Sequence, residues 1–521
     1  MRQRYGHTPR LRAGIVLIFV QLIGTVLHGQ ETLKGAGLDP DCVQTDEPQI
    51  PPTRAAPSKS GPANPEPAKA EPAGKGFFER LGDAYKEDWH PSLSAASVPA
   101  PEFRGDPAAV DGPPYPFTVW PYGGSVTIGQ PWTQAGPLMN ALWAGPHGDA
   151  WKRSRIQIYG WFNFGFNVST SNQGGYSNFP ASYAERANTV EPDQQVVYIE
   201  RQPDTVQRDH FDWGFRLALL WGLDYRFTTA KGIFSNQLLG KNQEYGFDPV
   251  MAYVDLYVPQ IAQGMDIRIG RYVSLPDIEA QLAPNNYTYS HSLTYTFDCY
   301  TQEGVNTTTK LSNHFLLQVG LSSGCDAAPW TKDAKATVNT CLGYTWQEGK
   351  SNVYGCANSL NDSRYAYNNM AAYYLTYYQK INKNWHTATE SWYQYEKNTP
   401  NVLNPNAASL LETGANGAQC KDVSALTCYA PSVAAVNYLE RQFSKHDYMS
   451  IRNEYVDDIV GQRTGYKTRY SEHLIGWGHW IGTTVLLRPE LRFDHSYDVA
   501  AYNNGTRKSQ LMLAGDAIFF F

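Results

Sequence analysis

Four charges, Arg488, Glu490, Arg492 and Asp494, recur at every second residue near the end of the chain. At that spacing they share one face of an extended strand. A face so charged must look onto water or onto other charges, because each would cost roughly 2 to 4 kcal/mol in mid-bilayer hydrocarbon. The same chemistry is offered by Arg216, Asp224 and Arg226, by Asp255, by Asp266 and Arg268, by Glu390, and by Arg452 and Glu454. Such groups either set the field that a solute crosses in a pore or pair across neighbouring strands and hold a wall together. Both signs occur on the same strands, so no preference for anions or cations follows.

Catalysis finds less support. His386, Glu390 and Ser391 lie close together, but period two puts His386 and Glu390 on one face and Ser391 on the other. No His-Glu-x-x-His motif occurs, and no nucleophile, base and orienting group are seen to converge, so no enzyme and no cofactor are expected. Seven cysteines are present. Cys42 stands alone, whereas Cys420 and Cys428 bracket a short loop-like segment and predict a local disulfide. Their spacing, with no nearby His or second cysteine pair, does not resemble a zinc site, and no metal is expected. The pairing of Cys299, Cys325, Cys341 and Cys356 stays open.

The elements that must position these groups are strands. The chain has 521 residues, 42% hydrophobic, 18% charged and 13% aromatic, with 35 Tyr against 21 Phe and 14 Trp. Its mean hydropathy of −0.46, with no long apolar run beyond the N-terminus, excludes a helical transporter. It does not exclude a transmembrane β-barrel, whose strands alternate apolar and polar residues and average out as hydrophilic. From about Arg155 to Phe521 that alternation is present. Ile156, Ile158, Gly160, Phe162, Phe164, Phe166 and Val168 oppose a more polar face. Trp213, Phe215, Leu217, Leu219, Trp221, Leu223, Tyr225 and Phe227 form another apolar face, with aromatic residues at both ends as a bilayer-facing strand requires. Pro489, which lacks the N–H for a ladder, is expected to mark a bulge or the end of the membrane-spanning part.

Short polar turns are read at 311–314, 381–384 and 444–447, and long irregular stretches at 170–209, 327–338 and 397–431. Short turns on one rim and long loops on the other, with about 14 to 16 strands, describe an all-β transmembrane antiparallel barrel over residues 151–521. The stretch 347–369 is the hardest to parse.

Upstream, Arg2, Arg4, Arg10 and Arg12 precede the apolar stretch from Ala13 to Leu27, which reads as a cleaved signal peptide over residues 1–29, an uncleaved anchor being the alternative. Its removal takes the formal charge from −6 to −10. An acidic exported chain has no basic face for nucleic acid. Residues 30–76 form a Pro/Ala-rich linker expected to be disordered. Residues 77–150 read as a mostly irregular periplasmic or plug-like segment with short helices at Phe77–Trp89 and from Pro137 to Gly145.

The chain ends with Leu511, Leu513, Gly515, Ala517, Phe519 and Phe521 on one face. A last strand finishing in Phe resembles the assembly signal of bacterial outer-membrane barrels, carried here by Phe519 and Phe521. The stretches Ser154–Trp161 (SRIQIYGW), Gly320–Trp330 (GLSSGCDAAPW), Arg364–Asn369 (RYAYNN), Trp385–Trp392 (WHTATESW), Arg452–Asp458 (RNEYVDD), Gly461–Tyr466 (GQRTGY) and Arg488–His495 (RPELRFDH) resemble the beta-barrel porin-2 (OmpL-like) family. The likeness runs from about Trp132 to Phe521. It implies an outer-membrane barrel of a diderm bacterium acting as a passive pore, and it lends no catalytic residues.

The partners expected are outer-membrane lipid, the barrel-assembly machinery through the C-terminal strand, and small hydrophilic solutes. A homo-oligomer is left open. The rival readings are an envelope anchor, an adhesin or a barrel hydrolase, and a secreted β-rich sugar-binding protein. In the last, Tyr and Trp would cluster on loops, whereas here they flank aliphatic runs within strands.

Overall fold

Period-two alternation becomes a closed wall of antiparallel strands in the computed structural model, which describes residues 74–91, 108–109, 127–129, 135–347 and 351–521. The expected signal peptide, the linker as far as residue 73, and Cys42 lie outside the described residues. The barrel strands are β1 (Ile156–Ser169), β2 (Val190–Arg201), β3 (Asp212–Gly222), β4 (Gly246–Val258), β5 (Met265–Val273), β6 (Thr301–Lys310), β7 (Phe315–Cys325) and β8 (Thr337–Trp346). They continue with β9 (Ser351–Leu360), β10 (Ala371–Lys380), β11 (Trp385–Pro400), β12 (Thr427–Gln442), β13 (Asp447–Asp458), β14 (Thr468–Ile481), β15 (Val485–Ser496) and β16 (Ser509–Phe520). Each pairs with the next in sequence, and β16 closes on β1 from Met512↔Ser169 to Phe520↔Trp161. Closure matters physically because hydrocarbon cannot satisfy the free N–H and C=O groups of a sheet edge.

The two faces separate as their chemistry requires. On β1, Phe162, Phe164 and Phe166 are 40–47% exposed on the outer surface, while Asn163 and Asn167 between them are 1% and 3% exposed. On β3, Trp213 and Trp221 stand at the two ends of an outward row holding Phe215, Leu217 and Leu219. Outward rings gather near both rims: Phe315 lies 4.9 Å from Tyr344 and Phe443 4.9 Å from Trp477 at the short-turn rim, and Trp221 lies 4.9 Å from Phe247 at the other. These belts suit rings that prefer the membrane–water boundary.

Connections alternate as expected, with turns such as 311–314, 381–384 and 482–484 on one rim and loops such as 170–189, 223–245 and 401–426 on the other. Several boundaries differ from the sequence reading. The stretch 170–209 is not one irregular segment, because it contains β2. Pro192 and the inward acidic and amide residues Glu191, Asp193 and Gln194 blur the alternation there, and the register shifts opposite Pro192. β3 ends at Gly222, so Asp224 and Arg226 sit in the following loop rather than on a strand. β9 lies within the stretch that was hardest to parse, and β11 and β12 extend into 397–431 from both sides. Pro489 marks neither a bulge nor an end. It lies mid-strand on the outer face opposite Gly515, and the register toward β14 is the same on both sides of it, Gly476↔Glu490 and His479↔Leu487.

Before the barrel come α1 (Phe77–Trp89), α2 (Pro137–Trp143, with Pro in the first turn) and α3 (Gly148–Ser154), besides a two-residue antiparallel ladder joining Ala108–Ala109 to Thr127–Ile128. α1 docks on the short-turn rim. Tyr85 Oη donates to the Phe520 carbonyl at 2.8 Å, Trp89 Nε1 to Thr484 Oγ1 at 2.8 Å, and Asp88 accepts from Thr483 N at 2.9 Å and Thr483 Oγ1 at 2.7 Å. The neighbouring Gly482 has φ +58°, and a Cβ there would stand 2.2 Å from Asp88 Oδ2, so only glycine admits this contact. Arg80 Nε donates to the Ala141 carbonyl at 2.9 Å and ties α1 to α2.

Three disulfides brace the long-loop half and the adjoining wall: Cys420–Cys428, as expected, with Cys299–Cys325 and Cys341–Cys356.

Candidate functional site

The connection between β5 and β6, residues 274–300, does not project from the rim. It turns into the lumen, where nearly all of its residues are buried. A loop buried away from water must find partners for its own N–H and C=O groups, and the wall supplies them. Glu390 on β11 accepts from Ile278 N at 2.7 Å. Glu490 on β15 accepts from Tyr289 N at 3.0 Å and Ser290 N at 3.2 Å. Glu454 on β13 accepts from Leu293 N and Thr294 N, both at 2.9 Å.

Guanidinium groups take the carbonyls. Arg452 Nη1 donates to Ser290 O at 2.6 Å, Arg488 Nη1 to Ala283 O at 2.8 Å and Asn286 O at 2.7 Å, and Arg492 Nη1 to His291 O at 2.7 Å. On the opposite side Gln194 of β2 both donates to Gln281 O at 2.9 Å and accepts from Ala283 N at 3.0 Å. Gly165 of β1 leaves room for the loop, since a Cβ there would stand 2.2 Å from Tyr289 Oη. The loop therefore spans the lumen and is held from several sides.

Six of the charges singled out in the sequence thus converge on one loop: Glu390, Arg452, Glu454, Arg488, Glu490 and Arg492. Others hold the wall. Arg268 forms a two-pronged pair with Asp255 at 2.8 and 3.1 Å and lies 3.8 Å over the Tyr253 ring. Arg216 Nε meets Glu200 at 2.6 Å, and Arg492 meets Asp494 at 2.9 Å. Asp266 is buried beside Asp255 on the same inner surface. Asp224 accepts from Gln194 Nε2 at 2.8 Å in the loop after β3. Arg226 lies outside the strands, 3.9 Å from Glu185 and over the Tyr176 ring.

Three partners were not singled out from the sequence: Glu200 on β2, 2.6 Å from Arg216, Glu472 on β14, 2.9 Å from Arg452, and Asp516 on β16, 2.5 Å from Arg488. Asp516 was accessible to period-two reading, being one step out of phase with Phe519. The inward loop carried no comparable signal. His386, Glu390 and Ser391 form no catalytic arrangement: His386 Nε2 lies 2.6 Å from Tyr287 Oη, Glu390 is engaged by the loop, and Ser391 is on the alternate face of β11.

The inner arginines are matched by carboxylates. Arg216, Arg268, Arg271, Arg452, Arg488 and Arg492 each have one within 3.2 Å. Asp193, Asp224, Asp298, Glu390 and Glu440 are all at most 2% exposed, and among the described residues none forms an ion pair with Arg or Lys.

A closed wall of sixteen strands, apolar outside and charged inside, with one connection folded across its lumen, defines a transmembrane barrel of the porin type. Residues 155–521 match the family described as "Putative beta-barrel porin-2, OmpL-like", and the chain belongs to that family. It is an outer-membrane porin, a passive route for small hydrophilic solutes or ions.

Solved structures to which the chain is similar include an anion-selective porin from Comamonas acidovorans (9% identity, TM-score 0.45, covering 70% of this chain and 99% of that one). Others are the outer membrane channel DcaP of Acinetobacter baumannii (10%, 0.44, 70% and 97%) and OprB of Pseudomonas putida (11%, 0.44, 73% and 97%). No curated protein matches the chain.

Proposed function

We propose that small hydrophilic solutes or ions pass between the inward loop 274–300 and the barrel wall, and that the loop sets the width of the route. The observation that carries this reading is the loop itself, held across the lumen by Glu390, Glu454 and Glu490 on its N–H groups and by Arg452, Arg488 and Arg492 on its carbonyls. A connection folded into a barrel narrows what the barrel can pass. The same reading includes export on the signal peptide of residues 1–29, envelope lipid around the outward aromatic belts, and recognition of the last strand, with Phe519 and Phe521, by the assembly machinery. It assigns no catalytic role to any residue.

Planar-bilayer recordings of the folded, heat-modifiable protein under a salt gradient test it. Stepwise conductance is expected, larger in a variant with loop 274–300 shortened than in the wild type. Absence of conductance both from the wild type and from a variant with loop 274–300 shortened overturns the route.

A further inference from the structure

Three carboxylates meet inside the barrel where the two feet of the inward loop approach the wall. Asp277 lies at the start of the loop, Asp298 at its end, and Glu390 on β11, and one oxygen from each lies within 4.8 Å of the others. Each of the outer two spends one oxygen on a donor: Asp277 Oδ2 accepts from Ser274 Oγ at 2.7 Å, and Glu390 Oε2 from Ile278 N at 2.7 Å. Of the remaining oxygens, Asp277 Oδ1 and the Asp298 carboxylate have no partner other than a proton shared between those two residues, and Glu390 Oε1 is buried without a hydrogen-bond partner. Asp298 is 0% exposed and Glu390 1%.

A second observation comes from a group that is not acidic. Tyr374 on β10 is 4% exposed, and its hydroxyl also lacks a hydrogen-bond partner. The register Thr376↔Glu390 puts Tyr374 one step along the same inner face from Glu390, and its hydroxyl interacts electrostatically with Asp298, Asp277 and Glu390 alike. Four side chains from three segments therefore bring buried oxygens short of donors into one part of the lumen. Buried polar groups left this way cost several kcal/mol unless something fills the gap.

We propose that Asp277, Asp298 and Glu390, with the Tyr374 hydroxyl beside them, bind a calcium ion that clasps both feet of the inward loop to the wall. Oxygen-only donors suit a hard cation. Calcium accepts a flexible shell of carboxylate oxygens, whereas magnesium demands near-ideal octahedral geometry and gives up its waters reluctantly, so a buried set of protein carboxylates suits calcium. Asp277 keeps partial exposure and offers a path of entry. Neither the geometry nor the test depends on which solutes the barrel passes.

The test uses the full-length protein folded in detergent micelles, stripped with chelator and titrated with terbium, a calcium substitute excited through nearby tyrosine and tryptophan, then back-titrated with calcium or magnesium. One site per chain is expected, with calcium displacing terbium at concentrations at least tenfold below magnesium. Asp298→Asn should weaken binding at least tenfold. If that variant does not run as a heat-modifiable barrel, Asp277→Asn, which alters the partly exposed ligand, takes its place with the same expectation. No bound ion, affinity unchanged in the variant, or displacement by magnesium as readily as by calcium would each overturn the proposal.

Discussion

Arg452 and Glu472 face each other across β13 and β14 at 2.9 Å, both 0% exposed, and the same guanidinium donates 2.6 Å to the Ser290 carbonyl on the inward loop. One side chain thus joins wall to wall and wall to loop. Arg452→Met leaves Glu472 buried and unpaired, a loss of about 3 to 5 kcal/mol for a broken buried pair. It also releases the middle of the loop. A lower heat-modification midpoint and a larger or noisier single-channel conductance are expected. Restoring stability with Glu472→Gln in the same chain, while conductance stays high, would separate the two effects.

The Cys299–Cys325 disulfide fastens the far end of the loop to β7. Replacing both cysteines by serine removes a covalent tie across 26 residues of sequence and should destabilise the folded form by roughly 2 to 4 kcal/mol. The inward loop 274–300 should become cleavable by added protease at concentrations that leave the oxidised wild type intact. Equal resistance of the two proteins would contradict this.

Asp88 carries much of the contact between α1 and the β14–β15 turn through Thr483 and Thr484. Asp88→Ala removes a charged acceptor from several donors, and about 1 to 3 kcal/mol of docking should disappear. Limited proteolysis should then cut α1 while the barrel keeps its heat-modifiability.

Outside the strands, burial pushes the Glu185 carboxyl up from 4.5 to about 7, with nearby Glu191 adding to the effect and Arg226 and Arg186 opposing it. A carboxyl that holds its proton more tightly when folded contributes stability that is fully present below pH 4.5 and lost as pH rises through about 7. The contribution is about 3 kcal/mol. The wild-type heat-modification midpoint should therefore fall between pH 5 and pH 8 by more than that of Glu185→Gln. Parallel curves for the two proteins would refute the assignment.

The parts of this fold that could be read in the sequence are those set by neighbours two residues apart. β1, β3, β15 and β16 announce both faces because one side meets hydrocarbon along its whole length, and Leu511, Leu513 and Phe519 could not sit inward. The site was visible only as separate charges. Glu490 meets Tyr289 across 201 residues and Arg488 meets Asn286 across 202. No local period encodes such distances. The loop's Pro276, Pro284 and runs of Ser, Thr and Tyr have the composition of a surface connection, and only the carboxylates and guanidinium groups waiting inside the barrel make burial possible. Asp224 and Arg226 were misplaced for a simpler reason: the alternation from Trp213 continues through Phe227, but the backbone leaves the ladder at Gly222, whose φ of +145° turns the chain.

Cys341 and Cys356 are directly opposed on β8 and β9 and buried on the inner face. A hairpin slipped by one residue would send one of the two thiols outward toward lipid while the other stayed inside. The bond therefore closes only on the correct alignment, and once closed it holds the hairpin against slipping.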